Sequence, residues 1–254
     1  MAITIKSERE IELMAEAGKI LERVHNELEK ALHPGMSTKD IDTLGEEIIR
    51  SYGCIPSFLN YNGYPASICV SVNQEVVHGI PDKHRIIHEG DIVSLDAGVI
   101  YKGYHSDAAR THAVGEVSEE AKKLIQVTKE CFFEGIKYAK AGNHLFDISG
   151  AIGRYAEERG YGVVRDLYGH GIGTALHEAP EIPNYEVGRK GVKLRPGMTL
   201  AIEPMINIGT YEVDWLDDDW TVVTRDGSLS AHYENTILIT EGEPRILSLT
   251  CDNE

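Results

Sequence analysis

"LDAGVIYKGYHSDAART", residues 95 to 111, sets two carboxylates into a stretch that otherwise reads as a strand, a Lys-Gly turn and a second strand. Asp96 follows Ile92, Val93 and Leu95, where an unpaired charge would cost several kcal/mol or be forced to take up a proton. A hairpin with an even-numbered loop around Lys102-Gly103 pairs Tyr101 with Tyr104. It sets Gly98 opposite Asp107 and Ala109 opposite Asp96, so the two carboxylates become diagonal neighbours on one face. An odd-numbered loop or a bulge would change that parity. Acids that close raise each other's pKa unless a cation lies between them, and a divalent metal is the usual solution.

Further ligands should then be visible. Glu203 in "LAIEPMI" is an acid in an apolar strand, and Glu234 in "SAHYENTILIT" directly precedes an apolar run. His170 in "YGHGIGT" offers a nitrogen donor among glycines that allow close backbone approach. Asp96, Asp107, His170, Glu203 and Glu234 therefore form a candidate ligand set. Four carboxylates offset two divalent ions, which points to a two-metal centre with shared acids. An oxygen-rich shell with one histidine favours Mn, Fe or Co and also admits Zn. For any one acid, a backbone hydrogen bond or an ion pair with Arg110 is the commoner arrangement, and only the set as a whole favours metal. "HEAPE" at 177 to 181 begins like a helical zinc-protease motif, but Glu181 stands where the second histidine must be and Pro180 breaks a helix. "GHGIGT" lacks the spacing and the Lys-Ser/Thr pair of a phosphate loop.

The pattern around this stretch is one of α/β type. Ser7 and Glu10 form a capping box for a helix reaching about Leu32, and a second amphipathic helix runs from about Thr38 to Ser51. Strands follow. Helices then return from about Ser118 to Lys140 and from about Leu145 to Arg159, before strand-rich sequence to the end. Sliding the chain against itself by 107 residues brings Gly35 onto Gly142, Asp40 onto Asp147, Gly53 onto Gly160 and Asp96 onto Glu203. A single catalytic domain over 1–254 is expected, with duplicated halves at about 1–115 and 116–254. The chain has 254 residues, 42% of them apolar, enough for a large core. Its formal charge of −16 and the lack of a Lys/Arg stripe argue against nucleic acid as a partner. Neither a membrane-crossing run nor a secretory leader is legible, and Cys54, Cys69, Cys131 and Cys251 show no metal-finger spacing, so a cytoplasmic location with reduced thiols is expected.

Seven motifs in order carry a resemblance: "HGIP" at 78 to 81, "GDIVSLDAG" at 90 to 98, "HSDAART" at 105 to 111, "GHGIG" at 169 to 173, "HEAPEIPNY" at 177 to 185, "AIEPM" at 201 to 205 and "HYENT" at 232 to 236. Together they resemble the type I methionine aminopeptidases in their short bacterial form. The resemblance implies the pita-bread fold, two pseudo-symmetric halves around a curved antiparallel sheet flanked by helices. It also implies that Asp96 ligates one metal, that His170 and Glu203 ligate the other, and that Asp107 and Glu234 bridge both. His78 and His177 are then the residues that hold the scissile peptide, and Glu203 is the proton shuttle. The implied reaction is removal of an N-terminal methionine from a peptide or nascent chain whose second residue is small, by attack of a metal-bridging hydroxide on the first peptide bond. Phe58, Tyr61, Tyr64, Cys69, Leu176 and Trp220 are implied around the methionine side chain. Phe58 and Leu176 depart from the cysteine and phenylalanine often found there in bacterial relatives. A monomer is expected, with transient visits to the ribosome compatible with the function. The rivals are a proline-specific peptidase of the same fold and a non-catalytic relative that binds nucleic acid or the ribosome.

Overall fold

Lys102 and Gly103 both adopt positive φ, 48° and 87°, which is the two-residue turn whose twist matches paired strands. The ladder on either side therefore has the even parity, with Tyr101 against Tyr104, Gly98 against Asp107 and Asp96 against Ala109. The computed structural model describes residues 2–249. Cys251 lies outside them.

Along the described residues the first elements are α1 (Glu8–Ala31), α2 (Thr38–Ser51), β1 (Ile55–Pro56), β2 (Ile68–Val72), β3 (Glu75–Val77), β4 (Ile92–Tyr101) and β5 (Tyr104–Ala113). Next come α3 (Glu119–Ile136), α4 (Leu145–Glu157), β6 (Gly162–Val163), β7 (Gly169–Gly171), β8 (Glu178–Ile182) and β9 (Thr199–Ile202). The last are β10 (Met205–Asn207), β11 (Val213–Trp215), β12 (Val222–Thr224), β13 (Ser230–His232), β14 (Asn235–Leu238) and β15 (Arg245–Ile246). All registered strand pairs are antiparallel.

The helices begin where their caps place them. Ser7 and Glu10 form the reciprocal box of α1, and Ser37 with Asp40 forms that of α2. Two ends fall short of the expected ones. α3 stops at Ile136 and not at Lys140, because the N–H groups of Tyr138 and Ala139 bond carbonyls only three residues back and turn Ala139 into the core. α4 stops at Glu157 and not at Arg159, where the same tightening precedes Gly160 at φ 83°.

Two large apolar clusters result. Leu21, Val24 and Leu28 of α1 and Ile41 and Ile49 of α2 pack on Ile68, Val70 and Leu95 of the β1-β4-β2 sheet, to which β5 is joined through β4. Leu124, Phe132, Ile148 and Ile152 of α3 and α4 pack on Leu200, Ile202, Ile206 and Ile237. A smaller cluster of Met14, Phe58, Tyr64, Cys69, Ile172 and Leu176 is distinct from both. Cys54, Cys69 and Cys131 are buried and unpaired with one another. Among the described residues no helix is long and apolar enough to cross a membrane.

Side chains stitch β5 to β13 and β14 across the chain's middle. The Asp107 N–H donates to Thr236 Oγ1, which in turn donates to the Asp107 carbonyl, each at 2.9 Å. The Glu234 N–H donates to the Ala109 carbonyl at 3.0 Å. Thr111 makes the same paired contact with the backbone of His232, each bond 2.9 Å.

Candidate active site

β4 carries Asp96 and β5 carries Asp107 on the same face, while β2 sets Cys69 opposite Asp96. Glu203 follows the last residue of β9 and Glu234 precedes the first of β14; because Ile202 pairs with Asn235, the two acids leave that ladder at one end. His170 lies at the centre of β7, between β8 and β9. The flanking glycines are required by close approach: a Cβ at Gly169 would stand 2.5 Å from the Ala201 carbonyl oxygen, and one at Gly171 2.2 Å from that of Ala179. β8 makes "HEAPE" extended, so no helical zinc motif exists there.

The five residues anticipated as ligands thus converge. His170 Nδ1 lies 2.8 Å from the Gly171 carbonyl, which can only accept, so Nδ1 carries the hydrogen and Nε2 presents its lone pair. That nitrogen is 3.8 Å from Asp107 Oδ2 and 3.7 Å from Glu203 Oε1. Burial lowers His170 to about 3, which keeps the ring neutral at ordinary pH. His170 Nε2 thus presents a lone pair beside two carboxyl groups, an arrangement that a cation shared among them satisfies.

The acids tell the same story. Asp96, Asp107 and Glu234 are buried, and Asp96 Oδ1, Asp107 Oδ1 and Glu234 Oε1 have no hydrogen-bond partner. Burial pushes Asp96 up to about 7 and Glu203 up to about 8. Burial, followed by repulsion from the neighbouring carboxylates, holds Asp107 and Glu234 well above the usual range. Arg110, the alternative partner, is engaged elsewhere. Its guanidinium donates to the carbonyls of Ala109, Glu234 and Ser248 and to Asn235 Oδ1. Ligand atoms of Asp107, His170 and Glu234 lie within 4.8 Å of one another, as do those of Glu203, His232 and Glu234. The carboxylates of Asp107 and Glu234 beside the His170 lone pair, with Glu203 next to them, form a donor set of mostly hard oxygens that fits divalent cations.

Every residue anticipated around the substrate lines one cavity of about 130 Å³ with these five. Its apolar side is Phe58, Tyr64, Cys69, Leu176 and Trp220, with Tyr64 and Trp220 edge to face at 5.1 Å. Trp220 is held by its loop: Asp218 accepts from the N–H groups of Trp220 and Thr221 at 2.9 and 2.7 Å. His177 stands at the exposed mouth, with Nδ1 2.8 Å from the Tyr61 hydroxyl and its ring 4.2 Å from that of His170. His78, at φ 59°, sits in the left-handed region, and its ring is edge-on to Trp220 at 6.2 Å. Burial lowers His78 to about 4 and also lowers His177, so both rings are neutral.

Three contributors lay outside the anticipated set. Asn62 lines the cavity, and Asn184 donates to the Glu203 carbonyl at 3.1 Å. His232 lies 3.6 Å from Glu203 Oε2. The last stands two residues before an acid already singled out in the sequence.

Comparison with known proteins agrees with this geometry. Residues 12–241 match the model of metallopeptidase family M24. The chain is 59% identical over 247 residues to a methionine aminopeptidase of Clostridium acetobutylicum, covering 97% of this chain and 99% of that one. It superposes on the crystal structure of methionine aminopeptidase from Thermotoga maritima with a TM-score of 0.96 at 47% identity, covering 98% of this chain and 100% of the other. An Xaa-Pro dipeptidase from Bacillus anthracis shares the fold more distantly, with a TM-score of 0.78, 27% identity and coverage of 97% of this chain and 62% of that one. The mixed helical and antiparallel architecture is accordingly the pita-bread fold. Its sequence, its fold and its acid-lined cavity make this chain a metallo-aminopeptidase, a member of the methionine aminopeptidase family within the M24 metallopeptidases.

Proposed function

We propose that the cavity removes a single N-terminal methionine from peptides and nascent chains whose second residue is small. The observation that carries this reading is the meeting of four buried or nearly buried carboxylates and a neutral His170 with a small apolar recess. At about 130 Å³ the whole cavity, acids included, is below the usual ligand-pocket range of roughly 300–1,000 Å³, which suits one side chain and not a run of peptide. Phe58, Tyr64, Cys69, Leu176 and Trp220 would receive the thioether chain, and the acidic wall would attract the free amine. An internal peptide bond brings no such amine, so the enzyme acts only at the terminus.

Asp96, Asp107, His170, Glu203 and Glu234 would hold two divalent ions, Asp107 and Glu234 contributing to both. Mn, Fe or Co suits the donor set, and Zn is admitted. Bound there, the ions would supply an activated water near neutral pH and a polarised peptide carbonyl. The side chains do the rest. Glu203 is the least buried of the four carboxylates, its side chain 14% exposed, and its raised pKa suits it to pass a proton to the leaving amine. If the Tyr61 hydroxyl donates to His177 Nδ1, Nε2 carries the hydrogen and points a neutral donor at the scissile bond. His78, neutral as well, donates from the side of Trp220. We assign the whole chain to one catalytic unit with duplicated halves, 1–115 and 116–254, since each half contributes acids to the cavity.

Hydrolysis of Met-Ala-Ser and of Ala-Pro-Ala with added Mn or Co tests the substrate reading. Release of methionine from the first and inertness toward the second are expected. Preference for Ala-Pro-Ala would make the chain a proline-type peptidase, and inertness toward both would make it a binding module. Glu203→Gln should lower kcat by about 10²–10⁴-fold with an unchanged circular dichroism spectrum, the range for loss of general acid–base catalysis. Near-normal turnover would remove the role given to Glu203.

A further inference from the structure

His232 ends β13, two residues before Glu234, and its ring is 1% exposed. Neither ring nitrogen has a hydrogen-bond partner. An imidazole buried with both nitrogens unpaired is unfavourable for folding, so its placement calls for a reason beyond packing. The geometry supplies one. Glu203 stands between two imidazoles, with Oε1 3.7 Å from His170 Nε2 and Oε2 3.6 Å from His232 Nε2. His170 has its hydrogen fixed on Nδ1 by the Gly171 carbonyl and so presents a lone pair. His232 has no such constraint, and its Nε2 is free to carry the hydrogen toward the carboxylate.

The main chain at His232 is also fixed. The His232 N–H and carbonyl both bond Thr111 Oγ1 at 2.9 Å, and Thr111 is 2.8 Å from Ser94 Oγ on the neighbouring strand. His232 does not line the substrate cavity. It lines a separate cavity of about 310 Å³ behind the acids, together with His25, Arg110 and His112. Its nearest approach to the site is through Glu203, 3.6 Å from its ring.

We infer that His232 is a positioning residue of the metal centre, whose Nε2–H donates to Glu203 Oε2 and turns Oε1 toward His170 Nε2 and the cation between them. This rests on the metal-centre reading above. Groups that orient metal-binding carboxylates typically change metal affinity about 10–100-fold when removed.

Cobalt(II) is the probe. The full-length protein is stripped by chelation and titrated calorimetrically, with the visible absorption of bound cobalt and the melting temperature of the metal-free form recorded for wild type, His232→Leu, His232→Gln and His112→Ala. His232→Leu should bind cobalt about 10–100-fold more weakly, with altered absorption bands, while its metal-free form melts no lower than wild type because an orphaned polar ring has become apolar. His232→Gln keeps a donor and should bind within a few-fold of wild type. His112→Ala, altering the rear cavity without facing the acids, should leave affinity unchanged. Wild-type affinity and bands in His232→Leu would overturn the proposal, as would an equal loss in His112→Ala. Should the leucine variant fail to fold, a glutamine variant that binds like wild type supports the assignment and a loss of tenfold or more overturns it. Wild type that binds no cobalt overturns the metal-centre reading along with this one; intact wild-type binding with an indifferent His232→Leu overturns this one alone.

Discussion

Replacing Thr236 by valine keeps the shape of a fully buried side chain and deletes one oxygen. That oxygen accepts from the Asp107 N–H and donates to the Asp107 carbonyl, so the substitution leaves a buried donor and a buried acceptor unpaired. Each is expected to cost about 1–3 kcal/mol, giving roughly 2–5 kcal/mol together after allowance for partial relaxation. At about 2–4 °C per kcal/mol for a domain of this size, the melting temperature should fall by roughly 4–20 °C. Urea unfolding of the metal-free protein, followed by far-ultraviolet circular dichroism, measures the change without a contribution from bound ions. Thr236→Ser retains the hydroxyl and loses one methyl group, so about 1 kcal/mol is expected from it. Because Asp107 is a proposed ligand, the valine variant should also bind metal more weakly than the serine variant. A valine variant within about 0.5 kcal/mol of wild type, or a serine variant equally damaged, would refute the claim that this hydroxyl joins the two sheets.

Other consequences are open to measurement. Chelation should abolish turnover and lower the melting temperature, since an ion at 100 times its Kd stabilises by about 2.7 kcal/mol; an unchanged melting curve after verified metal removal would count against the centre. For the metal-free protein, Asp96 and Glu203 titrate near 7 and 8 when folded against ordinary values of 3.8 and 4.5, so the folded state binds more protons than the unfolded in that window. Its stability should therefore rise as pH falls from 8 to 6.5. Below 6.5 the lowered pKa of His170, His78 and His232 opposes the trend, because the unfolded histidines then take up protons first. Stability flat or falling from pH 8 to 6.5 would contradict the burial argument. Gly171→Ala would press a methyl group to 2.2 Å from the Ala179 carbonyl oxygen and should prevent His170 from seating, read as loss of cobalt binding in any protein that folds.

Much of this was legible beforehand, for physical reasons. The Lys102-Gly103 dipeptide suits a two-residue turn, and that turn, once formed, dictates which residues of β4 and β5 share a face. Ser7 announced its helix through a side chain that bonds within the first turn. The acids stood out because apolar strands rarely end in carboxylates without a partner. Helix ends at Ile136 and Glu157 were not legible, since they depend on where Ala139 and Gly160 meet the rest of the fold. Roles for His78 and His177 came from likeness alone. Nothing local in "VVHGI" distinguishes a substrate-facing ring, and it takes the tertiary approach of Trp220 to put His78 at the cavity. His232 was overlooked beside a residue already chosen, because Tyr233 and Glu234 leave strand geometry between β13 and β14 and alternation does not say where its ring lies.

The stitching of β5 to β14 makes the distance between two sheets a working dimension of the enzyme. Asp96 and Asp107 ride on one sheet, while His170, Glu203 and Glu234 ride on or beside the other. Productive geometry in such constellations tolerates only about 0.5 Å of drift. Breathing between the sheets that would leave the fold intact should therefore silence the chemistry first, and the amide protons of Asp107 and Glu234 should exchange with solvent in step with intermittent loss of turnover.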